Sequence, residues 1–322
     1  MIDQLLLSVA RVSTFLGDQL LTQATGFFFE DQGQLFLITN HHVVCNDLSN
    51  HHPDRLELDL HIDPENVAAT QSVNVPLFEQ GHPLWRETSD SGGPVDIAAI
   101  PLKRELLPNE SAVARFLPES IVTNYDDYEV GAPLSIVGFP LGFQDELHHL
   151  PVARQASVSS AFGLRFQGQG CFLTDARMHR GASGSPVVAR IVDESHPQGG
   201  VKAAGTAAEK TLPWRLLGVH ASRFDMGTRD PQADESLGLN AAWYADAILK
   251  LTRQDPPSAA DGMSSSPAQA GNGQTAPAAS AKGRIETPEN LSAGDTSSVR
   301  NRLSNGPAGD RRDVAKSVSA AW

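Results

Sequence analysis

Three kinds of side chain that together perform acyl transfer occur at well-separated positions of this 322-residue chain. His41 and His42 follow the apolar run LFLIT, Asp96 opens the run DIAAIPL, and Ser183 lies in the glycine-flanked string RGASGSPVV. A serine hydroxyl becomes a nucleophile when an imidazole takes its proton, and a carboxylate behind the imidazole fixes its tautomer. Glycines beside the serine permit a tight turn whose N–H groups can point at a developing oxyanion. These residue types indicate acyl-transfer chemistry.

A second serine, Ser91 in the string SDSGGPVD, competes for the role of nucleophile. It lies 49 residues after His42 and only five residues before Asp96, so it cannot face the start of the Asp96 strand across a cleft. Ser89 also stands where a glycine would be needed for an oxyanion-binding amide. We therefore expect Ser91 to lie in a Gly-Pro turn that leads into the Asp96 strand, and Ser183 to be the nucleophile.

The order and spacing of these groups resemble those of the chymotrypsin-like serine endopeptidases, especially the bacterial Htr proteases and glutamyl endopeptidases. The resemblance is carried by ATGFFF (24–29), ITNHHVV (38–44), DIAAIPL (96–102) and TDARMHRGASGSPVV (174–188). It implies two six-stranded antiparallel β-barrels with the active site in the cleft between them. It also implies that His42 is the base, Asp96 the orienting acid and Ser183 the nucleophile, with the Gly181 and Ser183 amides forming the oxyanion hole.

The string LLGVHASR (216–223) resembles the strand that lines the first specificity pocket of glutamyl endopeptidases. The resemblance implies that His220 contacts the P1 side chain, and Arg177, six residues before Ser183, is a second candidate for the pocket. A cationic imidazole or guanidinium would favour an acidic P1 residue through charge-assisted hydrogen bonds. The alternative is that His220 is only a strand residue beside the cleft. Ala182 stands where zymogen-activated members carry Asp, so we do not expect activation by a newly cut N-terminus.

The elements that must position these groups are short apolar runs bounded by turn-forming residues, which is typical of β-strands. The predicted strands are 26–29, 34–40, 96–102, 133–139, 170–176, 185–192 and 215–221. One helix is predicted over 240–254, where apolar residues recur at spacings of three and four. The pattern predicts an all-β unit with a C-terminal helix.

Composition changes near residue 253. Of the 68 residues from Asp255 to Trp322, 37 are Ala, Ser, Gly or Pro, and Trp322 is the only aromatic residue. Such a segment cannot bury enough apolar surface to offset its ordering entropy. We expect a protease domain over 1–252 and a low-complexity, disordered tail over 253–322. This composition fits a tether, a recruitment segment for an unknown partner or an inhibitory segment.

The charge and the hydropathy of the sequence argue against a nucleic-acid ligand and against a membrane span. The first 252 residues carry 17 basic and 31 acidic residues, which argues against a nucleic-acid ligand. Within the first 252 residues no uncharged run is longer than the 15 residues of 130–144, which is too short to span a bilayer, and the N-terminus carries Asp3 where a signal peptide would carry Lys or Arg. We therefore expect no membrane span and a cytoplasmic protein.

The two cysteines and eleven histidines suggest no cofactor. Cys45 and Cys171 are too few for a disulfide framework, and we expect both to be buried, small apolar residues. Adjacent histidines such as His51 and His52 would point to opposite faces of a strand, and no Cys/His spacing fits a zinc site. The prediction is no metal and no organic cofactor.

The function predicted from sequence is that of a serine endopeptidase that hydrolyses proteins or peptides through an acyl-enzyme. Two alternatives stay open: a catalytically silent protease fold that serves as an interaction module, and an esterase that uses the same triad.

Overall fold

The computed structural model describes residues 2–108, 111–191, 212–223 and 237–254. All of them belong to one unit of the chain, residues 1–266. The predicted tail, 253–322, lies outside the described residues except for Arg253 and Gln254.

The described residues form antiparallel β-structure with a few short helices. In chain order the strands are β1 (Val9–Leu16), β2 (Gln19–Asp31), β3 (Gln34–Thr39), β4 (Arg55–His61), β5 (Thr70–Pro76), β6 (Phe78–Glu79), β7 (His82–Pro83), β8 (Arg86–Asp90), β9 (Gly93–Pro101), β10 (Pro133–Gly138), β11 (Val152–Ser157), β12 (Cys171–Thr174), β13 (Pro186–Arg190), β14 (Trp214–Arg223) and β15 (Asn240–Tyr244). Helix α1 comprises His41–Val44, and helix α2 comprises Asp246–Thr252.

The first sheet has the order β5-β4-β1-β2-β3-β9-β8, with antiparallel neighbours throughout. It has seven strands where the resemblance implied six. The additional strand arises because the chain leaves the sheet after Pro76 and forms the small β6–β7 hairpin before it returns at Arg86. Strands β5 and β8 are therefore separate and lie at opposite edges of the sheet.

The second sheet has six strands, as expected, in the order β11-β10-β13-β14-β15-β12. Its edges meet, because Val158 at the end of β11 bridges Thr174 at the end of β12. The Ser159 amide also donates to the Leu173 carbonyl over 2.8 Å. These contacts close the sheet into a barrel.

The string GFFF shows how the two sheets are held together. Successive side chains of a strand point to opposite faces, so Phe28 enters the core of the first sheet, whereas Phe27 and Phe29 point the other way. There they pack in one cluster with Val137 and Val219 of the second sheet. The GFFF part of β2 is thus buried on both faces, which explains why these residues form a continuous apolar run.

The prediction of a helix over 240–254 is wrong for residues 240–244. Residues Asn240–Tyr244 form β15, which pairs with β12 on one side and β14 on the other, and α2 begins only at Asp246. The small side chains of Ala241 and Ala242 suit a helix and a central strand alike, and here the pairing with two neighbouring strands decides the outcome.

The fold class predicted from sequence is confirmed. Each of the seven predicted strand segments coincides with a strand of the structure: β2, β3, β9, β10, β12, β13 or β14. Among the described residues, no helix has the length and apolar character needed to span a bilayer.

Candidate active site

His42 and Asp96 are brought together by the pairing of β3 with β9. Thr39 at the end of β3 lies opposite Ala98, so the turn of α1 that follows β3 reaches the start of β9. His42 Nδ1 lies 2.8 Å from Asp96 Oδ2, and the His42 amide donates to Asp96 Oδ1 over 2.9 Å. With both carboxylate oxygens engaged, Asp96 sets the orientation of the imidazole and leaves Nε2 directed away from the carboxylate.

Two residues near this pair have roles that the sequence analysis missed or left open. The side-chain amide of Asn40 donates to the Asp96 carbonyl over 2.7 Å and so ties β9 to the entrance of α1. His41 points away from Asp96, because its Nε2 lies 2.8 Å from Glu87 Oε2. The Glu87 carboxylate raises the pKa of His41.

Ser183 lies in the loop between β12 and β13, flanked by two glycines with left-handed backbone conformations. Gly181 has φ +89° and Gly184 has φ +87°, a region that costs a residue with a Cβ atom about 1–2 kcal/mol. A Cβ on Gly181 would also lie 2.6 Å from the Phe139 carbonyl oxygen. The glycines predicted to shape this turn are therefore required by both conformation and space.

The Gly181 and Ser183 amides have the freedom expected of oxyanion donors. Within the described part of the chain, neither N–H donates to another protein group. The carbonyls of the same two residues are held by Thr25: the Thr25 amide donates to Ser183 O over 2.9 Å, and Thr25 Oγ1 donates to Gly181 O over 2.8 Å.

Thr25 is a further residue of the site for which the sequence suggested no role. It lies fully buried on β2 of the first sheet, yet it binds the serine loop of the second sheet and accepts a hydrogen bond from the Phe139 amide over 3.0 Å. Its own carbonyl accepts a hydrogen bond from Thr39 Oγ1 over 2.7 Å. The string ATGFFF shows only that a polar residue lies in the same strand as a buried apolar run, and it does not indicate the partner of that residue.

The Ser183 hydroxyl donates to the Ala221 carbonyl over 2.7 Å. Among the described residues it makes no hydrogen bond to His42. The structure therefore joins His42 to Asp96 directly, and it turns the hydroxyl of Ser183 toward β14.

A cavity of about 240 Å³ opens beside Ser183. Its lining residues come from the serine loop and from strands β14 and β15: Met178, His179, Arg180, Ser183, His220, Ala221 and Asn240. Arg177, the second candidate for the pocket, is exposed and does not line this cavity. The neighbouring Met178 points inward and is 5 % exposed, because side chains alternate along the extended segment.

His220 lies on the wall of this cavity and is almost completely buried, with 2 % of its surface exposed. Its Nδ1 has no hydrogen-bond partner among the described residues. Burial, with a smaller contribution from the charge of His42, lowers the pKa of His220 to about 4. The imidazole is therefore neutral at pH 7, and it keeps hydrogen-bonding capacity that no described residue fills.

Ser91 lies in the tight turn between β8 and β9, exposed to solvent, as the sequence analysis predicted. Asp90 caps this turn by accepting a hydrogen bond from the Gly92 amide over 2.7 Å. Ser91 thus precedes the Asp96 strand within one hairpin.

Comparison with known proteins points to one family. The model of the trypsin-like peptidase domain matches residues 24–191. No curated protein matches the chain.

Two solved structures give weak similarities. A serine endoprotease from Yersinia pestis has a TM-score of 0.44 and 15 % identity, over 77 % of this chain and 64 % of its own. The chain thus spans less than two thirds of that protein. The active form of the Rv3671c protease from M. tuberculosis has a TM-score of 0.41 and 15 % identity, over 79 % of this chain and 84 % of its own. The family model matches more than half of the chain, including His42, Asp96 and Ser183, and the chain therefore belongs to the trypsin-like peptidase family.

Proposed function

We propose that this trypsin-like peptidase hydrolyses peptide bonds of proteins through an acyl-enzyme, with Ser183 as nucleophile, His42 as general base and Asp96 as its orienting acid. The observation that carries the proposal is the two-point contact of Asp96 with the His42 ring and amide, at 2.8 and 2.9 Å. This contact commits Nδ1 as the donor to Asp96, so Nε2 is the nitrogen that can accept a proton.

The reaction begins when the Ser183 hydroxyl leaves the Ala221 carbonyl and turns to His42 Nε2. Its oxygen forms a bond to the scissile carbonyl carbon while its proton moves to Nε2. The resulting tetrahedral oxyanion accepts hydrogen bonds from the Gly181 and Ser183 amides, each worth about 3 kcal/mol in such sites. His42 then donates its proton to the leaving amine, and water repeats the sequence on the acyl-enzyme.

We further propose that His220 selects a P1 side chain that ends in a carboxylate or carboxamide. The cavity beside Ser183 has room for one side chain, and a neutral imidazole can share a hydrogen bond with either group. A P1 carboxylate would also favour the protonated form of His220. The selectivity for Glu over Gln is therefore expected to rise as the pH falls from 7.5 to 5.5, since the glutamate side chain stays mostly ionised over this range.

The catalytic proposal is tested by labelling with a fluorophosphonate probe, with Ser183→Ala as the critical variant. The exposed Ser91→Ala is the matched control, because Ser91 lies in the motif that resembles a nucleophile and is expected to be dispensable. Labelling and peptide cleavage should vanish in Ser183→Ala and persist in Ser91→Ala. Labelling that survives in Ser183→Ala contradicts the assignment.

One observation favours the alternative of a catalytically silent interaction module, namely the hydrogen bond from the Ser183 hydroxyl to the Ala221 carbonyl rather than to His42. Absence of labelling in the unmodified protein would support that alternative. Turnover of esters without cleavage of peptides would support an esterase.

The P1 proposal is tested with a peptide library and with paired Glu and Gln substrates at several pH values. His220→Gln should abolish the pH dependence of the Glu-to-Gln ratio of kcat/KM. A library with no enrichment of Glu, Gln or Asp at P1 would refute the role of His220 while leaving the triad untouched.

A further inference from the structure

The loop that follows α1, residues 45–52, is a small closed hairpin. Its first amide, that of Cys45, donates to the His41 carbonyl over 2.9 Å and ends the helical turn. Asn46 and His51 then pair across the loop through two backbone hydrogen bonds of 2.9 Å. Between them Asp47 opens a short helical turn, held by the Asn46 side chain, which accepts a hydrogen bond from the Ser49 amide.

This backbone brings three metal-ligating side chains to one side of the loop. Cys45 and His52 flank the paired residues and therefore face each other, and Asp47 turns back toward both. Cys45 Sγ lies 3.9 Å from His52 Nδ1 and 4.0 Å from Asp47 Oδ1, and His52 Nε2 lies 3.7 Å from Asp47 Oδ1. In the part of the chain that the structure describes, no other group of three Cys, His, Asp or Glu side chains lies so close together.

The adjacent histidine is directed elsewhere. His51 Nε2 lies 3.0 Å from the Val43 carbonyl oxygen, so its imidazole packs against α1 while His52 joins the cluster. The expectation that neighbouring histidines diverge is correct for this pair. What the sequence spacing could not show is that the hairpin returns one of them to Cys45. The expectation that Cys45 is buried is wrong, because it is partly exposed at the loop surface, whereas Cys171 is buried.

The separations and the donor types fit a transition metal ion. Bonds of about 2.3 Å to sulfur and 2.0–2.2 Å to nitrogen or oxygen place tetrahedral ligand atoms roughly 3.3–3.6 Å apart. The two short distances to His52 involve different ring nitrogens, and a single ion can bind only one of them. With one ligand atom taken from each side chain, the three atoms lie within 4.8 Å of one another, so the side chains must close by up to about 1.5 Å to reach these values. A thiolate with an imidazole favours Zn²⁺ over Mg²⁺ or Ca²⁺, which prefer sets of oxygen ligands.

We propose that Cys45, Asp47 and His52 form a binding site for a single zinc-type divalent ion, with water completing the coordination. Asp47 and His52 are largely open to solvent, so the ion has direct access from outside. The site lies at the end of the turn that carries His42, and it does not depend on the proposed peptidase activity.

The experiment uses the full chain in reduced form and titrates it with Co²⁺ and then with Zn²⁺. Cobalt bound to a thiolate produces a charge-transfer band in the near ultraviolet, which we expect to saturate at one ion per chain and to disappear when Zn²⁺ displaces Co²⁺. The proposal is overturned if the unmodified protein shows no thiolate band, or if the band saturates at another stoichiometry. This part of the test needs no variant.

Variants then assign the ligands. Removing outer-shell partners of metal sites already costs about 10–100-fold in affinity, so Cys45→Ser and His52→Gln should each weaken Zn²⁺ binding by about 100-fold or more. His51→Gln is the matched control, since it alters the same loop without removing a ligand, and Cys171→Ala controls for the second thiol. Equal affinities in Cys45→Ser and Cys171→Ala would refute the site. Melting curves without metal verify that each variant is folded.

Discussion

The burial of His220 makes the stability of this fold dependent on pH in a calculable way. In the unfolded chain an imidazole takes up a proton near its ordinary pKa of 6.5, whereas in the folded protein His220 does so only near 4. Between these values the unfolded state binds more protons than the folded state. Stability therefore rises with pH through this window and is lost as the pH falls from 6.5 to 4.

The difference between 6.5 and about 4 corresponds to about 3 kcal/mol at 1.36 kcal/mol for each pH unit. Solvent screening takes little from this figure, because only 2 % of His220 is exposed. Replacing the imidazole by an amide that does not titrate, in His220→Gln, should remove this contribution. Between pH 6.5 and 4 the free energy of unfolding of the variant is expected to fall by about 3 kcal/mol less than that of the unmodified protein.

The assay is urea unfolding, followed by tryptophan fluorescence, at intervals from pH 7.5 to pH 4. The measured quantity is the change in unfolding free energy with pH, so a constant loss caused by poorer packing of Gln cancels. Other titrating groups cancel as well, including His61, whose pKa is also lowered by burial. His82→Gln, at an exposed position on β7, serves as the control and should follow the unmodified protein. Parallel pH curves for His220→Gln and the unmodified protein would refute this account.

Three further substitutions test the rest of the site. Asp96→Asn should lower kcat by about 10⁴-fold, because an amide holds the imidazole in the wrong tautomer; steady-state peptide hydrolysis measures it. Thr25→Val should lower the free energy of unfolding by about 1–3 kcal/mol and slow the labelling of Ser183, because it leaves buried polar groups of the serine loop unpaired. Thr25→Ser keeps the hydroxyl and should restore both quantities. Equal behaviour of the two variants would contradict the role of Thr25. Gly184→Ala should lower the free energy of unfolding, measured with a chemical denaturant, by more than about 2 kcal/mol, because its Cβ would overlap the Thr25 carbonyl in addition to the backbone strain. Gly81→Ala, with a similar φ but open space around it, should lower it by less.

Much of the fold could be predicted from the sequence because its inner strands are buried on one or both faces. Runs such as QLFLIT and SPVV consist of residues that suit a pleated, buried surface, and the structure places them in β3 and β13. The edge strand β8 gave no such signal: it has the polar sequence RETSD, and β9 is its only strand partner among the described residues. The segment NAAWY was misassigned because small residues fit either element, and strand pairing is a tertiary effect.

The candidate site could be predicted only as far as local sequence determines local backbone. His42 and Asp96 follow and open buried strands that pair with each other, so their contact follows from the antiparallel register of β3 and β9. The role of Thr25 depends on a contact across 156 residues to Gly181, which no spacing reveals. The direction of the Ser183 hydroxyl depends on the carbonyl of Ala221, 38 residues away.

The string SDSGGPVD shows why a short motif does not decide chemistry. In its hairpin, Asp90 accepts a hydrogen bond from Arg165 over 2.6 Å, and the Ser89 carbonyl accepts one from Lys250 over 2.7 Å. Gly92 lies so close to a neighbouring loop that a Cβ there would come within 2.5 Å of the Gly168 carbonyl oxygen. The residues that resemble a nucleophile loop therefore dock the β8–β9 hairpin onto the loop between β11 and β12 and onto α2. This docking anchors the start of β9, and with it the carboxylate that orients His42.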